Sequence, residues 1–327
     1  MSGSSCGCDA TSGKESCCRC GPVRVVILLI AGGLVILGAL AYRNLRFERP
    51  IGAGPAGPAV DAEPFQTPWT DRKVLLLGLG DSVTAGFGVR HDLSYFNRLI
   101  ENPSDEFDDM KGKCLSKVLP NLTTDNRAFS GSTSIQCLDL IREKLVPQDD
   151  DVFGLVVMTT GGNDLIHNYG RTPPKEGAMY GATLAQAEPW IANYKERLHE
   201  ILDRMEAAFP GGCLIFLADL YDPSDGIGDA PSAGLPHWPD ALAILDRYNE
   251  IIRAEAESRE NVILVPMHAE FLGHGIHCTN RFGSHYRAGD PHYWYGVNLE
   301  DPNERGYDAL RRLFLIAIVE NRARFVE

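Results

Sequence analysis

The run KVLLLGLGDSVTAGFG carries an apolar stretch into Gly80-Asp81-Ser82. A serine at the carboxyl end of a buried strand, passed by a small-residue turn to a helix, presents its hydroxyl at a sheet edge, which suits a nucleophile. The Ser82 N–H can point toward negative charge forming on a bound acyl group. Asp81 reads equally as a helix cap or turn residue. Two more short blocks lie further along: Gly131 in NRAFSGSTS, after a weak strand signal, and Gly162-Asn163-Asp164 in VVMTTGGNDL, after an apolar run. Taken singly, Gly131 could serve a turn and Asn163 could cap the next helix.

A serine hydroxyl attacks poorly near neutral pH without a base. His292 in GDPHYWYG is the leading candidate, with Asp290 two residues before it. His268, His274, His277 and His285 compete from MHAEFLGHGIHCTNRFGSHY, which also holds Cys278. Their spacing matches no zinc motif, so this reads as a loop that shapes a pocket. Asp222, Asp225 and Asp229 miss the spacing of a calcium-binding EF-hand loop and read as a solvated loop. Trp238, Tyr293, Trp294 and Tyr295 could stack on sugar rings or acyl chains, or simply pin the loops that carry them.

These residues need a frame. Lys73–Leu79, Val152–Thr159, Cys213–Asp219 and Asn261–Pro266 read as buried strands, with a weaker one near Asn126–Phe129. Between them Thr133–Leu145, Pro189–Phe209, Pro239–Arg259 and Glu304–Asn321 show apolar residues at helical spacing. Alternating strands and helices predict a parallel sheet covered on both faces, with ligands beyond the carboxyl ends of its strands.

In this order, from Lys73 to about Asn321, the blocks resemble the SGNH (GDSL-like) hydrolases. That family opens on Gly-Asp-Ser, supplies a Gly in its second block and has Gly-x-Asn-Asp in its third. The resemblance implies an α/β fold, a three-layer α/β/α, flavodoxin-like arrangement around a central parallel sheet of about five strands. It makes Ser82 the nucleophile. The Ser82 and Gly131 N–H groups and the Asn163 side-chain amide become the oxyanion hole, where each donor can lower the barrier by roughly 3 kcal/mol.

The family's base lies in Asp-x-x-His, followed by Pro-Asn and then Gly-Tyr. Here NLEDPNERGYDAL keeps Pro302, Asn303, Gly306 and Tyr307, but Asp301 stands at the histidine position and Asn298 at that of the acid. The expectation is therefore that an insertion has moved the pair upstream, with His292 the base and Asp290 its partner. Asp301 or a backbone carbonyl could orient the imidazole instead. The reaction implied is hydrolysis of a carboxylic ester through an acyl-enzyme, on an acetylated glycan, a lipid or another small ester, with no metal or organic cofactor. The alternative is a binding or scaffolding protein that kept the fold and lost its base.

The chain has 327 residues, 44% apolar and 23% charged, enough for one sizeable core. Its net charge of −13 argues against nucleic acid as a partner. Four regions follow: a Cys-rich tail (1–22), a membrane helix (23–43), a Pro/Gly-rich linker (44–72) and the catalytic domain (73–327). Val25 to Tyr42 is eighteen residues without a charge, about 27 Å of helix, close to the hydrocarbon thickness of a bilayer. Ala39-Leu40-Ala41 offers a signal-peptidase pattern, but an uncleaved single-pass anchor is the preferred reading, with the domain outside the cytoplasm. The tail cysteines Cys6, Cys8, Cys17, Cys18 and Cys20 read as exposed or lipid-modified thiols rather than a zinc site. Cys114, Cys137, Cys213 and Cys278 could form one or two disulfides.

Overall fold

Five strands pair in parallel, and their apolar runs explain why. They are β1 (Lys73–Gly80), β2 (Leu122–Asn126), β3 (Val152–Thr159), β4 (Cys213–Ala218) and β5 (Val262–Val265), in the spatial order β2-β1-β3-β4-β5. In β1 the side chains alternate between two cores. Val74 and Leu76 face one cluster, while Leu75, Leu77 and Leu79 face the other, as a sheet covered on both faces requires. The structure, a computed structural model, describes residues 20–46 and 49–326.

The helices are α1 (Cys20–Arg46), α2 (Ser82–Ala85), α3 (Tyr95–Ile100), α4 (Leu115–Val118), α5 (Ser134–Lys144), α6 (Gly162–Ile166), α7 (Leu184–Ala207), α8 (Ala241–Ser258), α9 (Met267–Phe271) and α10 (Glu304–Glu320). Helices α5, α7 and α8 contribute to one core; α3 and α10 contribute to the other. The expected three-layer α/β/α architecture is what forms.

Two elements start furthest from expectation. β2 begins at Leu122 rather than near Asn126, because an edge strand made of Leu-Thr-Thr-Asp-Asn is polar and carries no apolar run to mark it. α7 begins at Leu184 rather than Pro189: Thr183 and Gln186 form a reciprocal capping box that starts the helix before the proline.

Residues 49–71, expected to be a spacer, pack onto the domain instead. Ala56, Val60 and Phe65 are buried in the α10 core, and the Ala56 N–H donates to Asp308 Oδ2 at 3.0 Å. Short side chains let this extended chain lie flat on α10, and buried charges on that helix give its backbone partners. Asp308, with Arg98, Arg311 and Glu106, forms an ion-paired cluster in the interior. Removing one member of such a cluster strands the others, which costs about 3–5 kcal/mol. This cluster fixes α10, and through it the loop before α10.

The four domain cysteines are free, buried thiols rather than disulfides. Burial pushes Cys137 and Cys278 up to about 12, which keeps them protonated and unreactive. The first unit, ending at Glu48, holds α1, whose described side chains from Val25 to Leu40 are apolar or small and almost all exposed. Among the described residues, no helix is long and apolar enough to cross a membrane, so the expected membrane helix is not supported there. Cys6, Cys8, Cys17 and Cys18 lie outside the described residues.

Candidate active site

β1 ends in Gly80 with φ 113°, and a side chain there would meet the Thr159 carbonyl oxygen at 1.6 Å. Only glycine lets β1 turn this tightly beside β3. The next residue, Asp81, caps α2: its Oδ1 accepts the Val83 N–H at 3.1 Å and the Thr159 hydroxyl at 2.7 Å. The Thr159 and Thr84 hydroxyls bond at 2.8 Å, and Thr84 bonds the Tyr95 hydroxyl at 2.7 Å. Burial pushes the Asp81 carboxyl up to about 7 against these bonds, with the Asp301 charge adding to the rise. This chain of hydroxyls fixes the turn that presents Ser82, the first residue of α2, which is itself buried.

The second and third blocks meet beside it. Gly131 has φ 81°, a left-handed conformation that favours glycine, and the space where its Cβ would lie is open apart from His167 Nε2 at 4.0 Å. Burial holds the His167 ring below its usual value. Asn163, in the first turn of α6, is buried and donates its Nδ2 to the Ser132 carbonyl at 3.0 Å. Asp164 accepts the Ser134 N–H and hydroxyl, each at 2.9 Å, and so ties the third block to the second. Burial pushes Asp164 up to about 6.

The loop before α10 completes the surroundings. Asp301 is 2% exposed. Its Oδ2 accepts from Asn298 Nδ2 at 2.6 Å, while Oδ1 is buried without a partner of regular geometry. The Ser82 hydroxyl bears on this carboxylate and lowers its pKa, but burial dominates and pushes it above the usual carboxylate range. The loop is tied down by Gly296 N–H donating to the Asp301 carbonyl at 2.7 Å and by the Tyr221 hydroxyl donating to the Glu300 carbonyl. Tyr307 of α10 donates its hydroxyl to the Phe87 carbonyl at 3.0 Å and the Ser82 carbonyl at 3.4 Å.

Asp290 and His292 come together beside Gly52, and among the described residues no hydrogen bond joins His292 to Ser82. His292 Nδ1 bonds Asp290 Oδ1, and Asp290 Oδ2 accepts from Arg305 at 2.6 Å. The imidazole lies against Gly52, where a Cβ would come within 2.6 Å of its ring, and Arg305 also donates to the Ala53 and Gly54 carbonyls. Arg305 and Tyr307 are two residues apart on α10, roughly 200° around the helix. Tyr307 turns toward Ser82 and Arg305 away from it, toward residues 52–54. The neighbour expected for Ser82 was an imidazole; the one found is the Asp301 carboxylate.

The remaining candidates fall into structural roles. Asp225 accepts the N–H groups of Gly273, Gly275 and His277 at 2.8–2.9 Å, so the histidine-rich loop is wound around a carboxylate. His268 bonds the Leu220 carbonyl and His274 stacks on Trp294. Tyr293, Trp294 and Tyr295 are buried in the core that includes α10. Trp238, by contrast, lines a cavity of about 170 Å³ that reaches Ser82 and Asn163, together with Leu165, Leu220, Leu245 and Met267. Sequence reasoning missed Tyr221 and the Thr84–Thr159 pair, and it named Tyr307 only as part of the retained Gly-Tyr. Thr159 and Tyr221 follow or end strands on the ligand side, which is the signal that could have found them.

A family model described as GDSL-like lipase/acylhydrolase matches residues 79–309. No curated protein matches the chain. Similar solved structures include a lipolytic G-D-S-L family protein from Veillonella parvula, at 14% identity and a TM-score of 0.42, covering 77% of this chain and 100% of that one. An acetylxylan esterase from Geobacillus stearothermophilus is 18% identical with a TM-score of 0.46, covering 76% and 94%. The esterase EstA from Pseudoalteromonas is 13% identical with a TM-score of 0.42, covering 75% and 97%. With the family match running from the end of β1 into α10 and the Gly-Asp-Ser, Gly and Gly-x-Asn-Asp blocks at the sheet's carboxyl edge, the chain belongs to the GDSL-like lipase/acylhydrolase family and is a carboxylic ester hydrolase.

Proposed function

We propose that the chain hydrolyses esters of apolar acyl chains through an acyl-enzyme on Ser82, with the Ser82 and Gly131 N–H groups and the Asn163 amide holding the oxyanion. The observation that carries the choice of substrate is the cavity beside Ser82. Its lining of Leu165, Leu220, Trp238, Leu245 and Met267 offers an acyl chain apolar contact. Its volume of about 170 Å³ is several times the roughly 30 Å³ share of a water molecule. An acetyl group would leave most of that space unfilled, whereas each buried methylene contributes about 0.8 kcal/mol.

The test is a chain-length series of p-nitrophenyl esters with the full-length protein. The reading expects kcat/KM to rise about fourfold per methylene from acetate until the cavity is full, and Ser82→Ala to abolish turnover. Preference for acetate, with loss on every lengthening, would sink the acyl-chain reading.

We also propose that residues 23–43 anchor the protein in a membrane with the domain outside the cytoplasm. Supporting this are the eighteen charge-free residues from Val25 to Tyr42 and the exposed apolar side chains of α1. Retention of the full chain in membranes after alkaline carbonate extraction, and digestion of the domain by protease added to intact cells, are the expected results. Release by carbonate contradicts the anchor.

A further inference from the structure

We propose that Asp301, rather than a histidine, is the general base for Ser82. The inference rests on the reading of Ser82 as nucleophile. Four observations support it. The Asp301 carboxylate is buried against the Ser82 hydroxyl, with Oδ1 lacking any regular partner. Catalytic hydrogen bonds are often long or poorly aligned in a protein without substrate.

The second observation is the partner. Asn298 occupies the place of the acid in Asp-x-x-His and donates to Asp301 Oδ2 at 2.6 Å. Both residues of the pair have changed, and the change is chemically consistent. A carboxylate beside an imidazole N–H accepts a proton bond; an amide beside a carboxylate donates one. An Asp at position 298 would set two carboxylates against each other, and Asn298 removes that repulsion while fixing the orientation of Asp301.

Third, the loop is held rigidly. Leu299 sits at φ 66°, in the left-handed region, between Asn298 and Glu300. Such a conformation persists in a leucine only where the surroundings impose it. The ties from Gly296, Tyr221 and the Asn303 amide, which donates to the Tyr293 carbonyl at 2.7 Å, supply that constraint. Fourth, His292 is engaged elsewhere, on the side of α10 that faces residues 52–54.

The proton balance closes. Asp301 accepts the hydroxyl proton as Ser82 Oγ adds to the ester carbonyl carbon. The protonated Asp301 then gives that proton to the departing alkoxide as the C–O bond breaks. In deacylation a water gives a proton to Asp301, its oxygen adds to the acyl carbon, and Ser82 leaves with that proton. The charged or titratable groups facing Asp301 are Asp81 at the start of α2, Glu300 in its own loop, Tyr221 after β4 and Tyr307 of α10.

The test measures two rates on the full-length protein: labelling of Ser82 by a fluorophosphonate, and hydrolysis of p-nitrophenyl butyrate. Asp301→Asn is isosteric, and circular dichroism and the melting temperature establish that it folds. The expected result is a loss of about a hundredfold or more in both rates for D301N, with H292Q within about threefold of wild type. If D301N does not fold, the pH–rate profile decides: the acid limb of the wild type must persist in H292Q. A D301N protein labelled at the wild-type rate, or an acid limb that vanishes in H292Q, overturns the inference. Labelling that depends on Asp301 in a protein inert toward every ester would instead sink the esterase reading and leave this one standing.

Discussion

Asn298 donates its amide to the Asp301 carboxylate at 2.6 Å, on a loop that brings that carboxylate against the Ser82 hydroxyl. The neutral donor stabilises the charged form of Asp301 and opposes the rise that burial causes. Replacing Asn298 by Asp substitutes a like charge for the donor. Asp301 must then titrate higher than it does now, and since a base works only when deprotonated, the acid limb of kcat/KM must move to higher pH in N298D. A pH–rate profile that does not move would separate Asn298 from the chemistry.

Asn163 and Gly131 make different contributions to one oxyanion site. Asn163→Ala removes a donor and should lower kcat about 10²–10³-fold with little change in KM. Gly131→Ala keeps its N–H and meets open space, but forces an alanine to φ 81°. It should cost roughly 1 kcal/mol of stability and shift the backbone donor, so kcat falls along with the melting temperature. Steady-state kinetics and thermal melts of the two variants distinguish these effects.

The Asp81 carboxyl, buried and pushed up to about 7 from 3.8, makes stability depend on pH. Its folded pKa lies above its unfolded one, so its contribution is fully present below about 3.8 and is lost as pH rises through about 7. Asn at this position can still accept the Val83 N–H and the Thr159 hydroxyl, without a charge to bury. Asp81→Asn should therefore raise the melting temperature at pH above about 7 by a few degrees and change it little at acid pH. Equal shifts at both pH values would contradict burial as the cause.

Leu245 lines the cavity from α8, away from Ser82's own turn. A larger side chain there removes room without touching the nucleophile. Leu245→Trp should shorten the preferred acyl chain, lowering kcat/KM for octanoate while leaving acetate nearly unchanged. A uniform loss across the ester series would place the acyl chain elsewhere.

Much of this was legible because burial writes itself into composition. β1, β3, β4 and β5 are covered on both faces and read as apolar runs. β2 is a polar edge strand and does not. The Gly-Asp-Ser, Gly and Gly-x-Asn-Asp blocks were readable because each sits where a strand ends and the backbone must turn. The partner of Ser82 was harder. Asp301 stood in the histidine's place, but side-chain chemistry favoured an imidazole, and His292 with Asp290 offered one at close spacing. That pair instead serves residues 52–54, a segment whose prolines and glycines gave no sign that Ala56, Val60 and Phe65 would be buried. Contacts that join residues more than two hundred positions apart, such as Ala56 with Asp308, leave no local pattern to read.

The central claim is that Ser82 carries the acyl group. Acid-quenching the full-length protein during turnover of a p-nitrophenyl ester, followed by peptide mass analysis, tests it directly. The account predicts an acyl adduct on the peptide containing Ser82 and none in Ser82→Ala. Ester turnover that persists in Ser82→Ala, or an adduct on another residue, would contradict it.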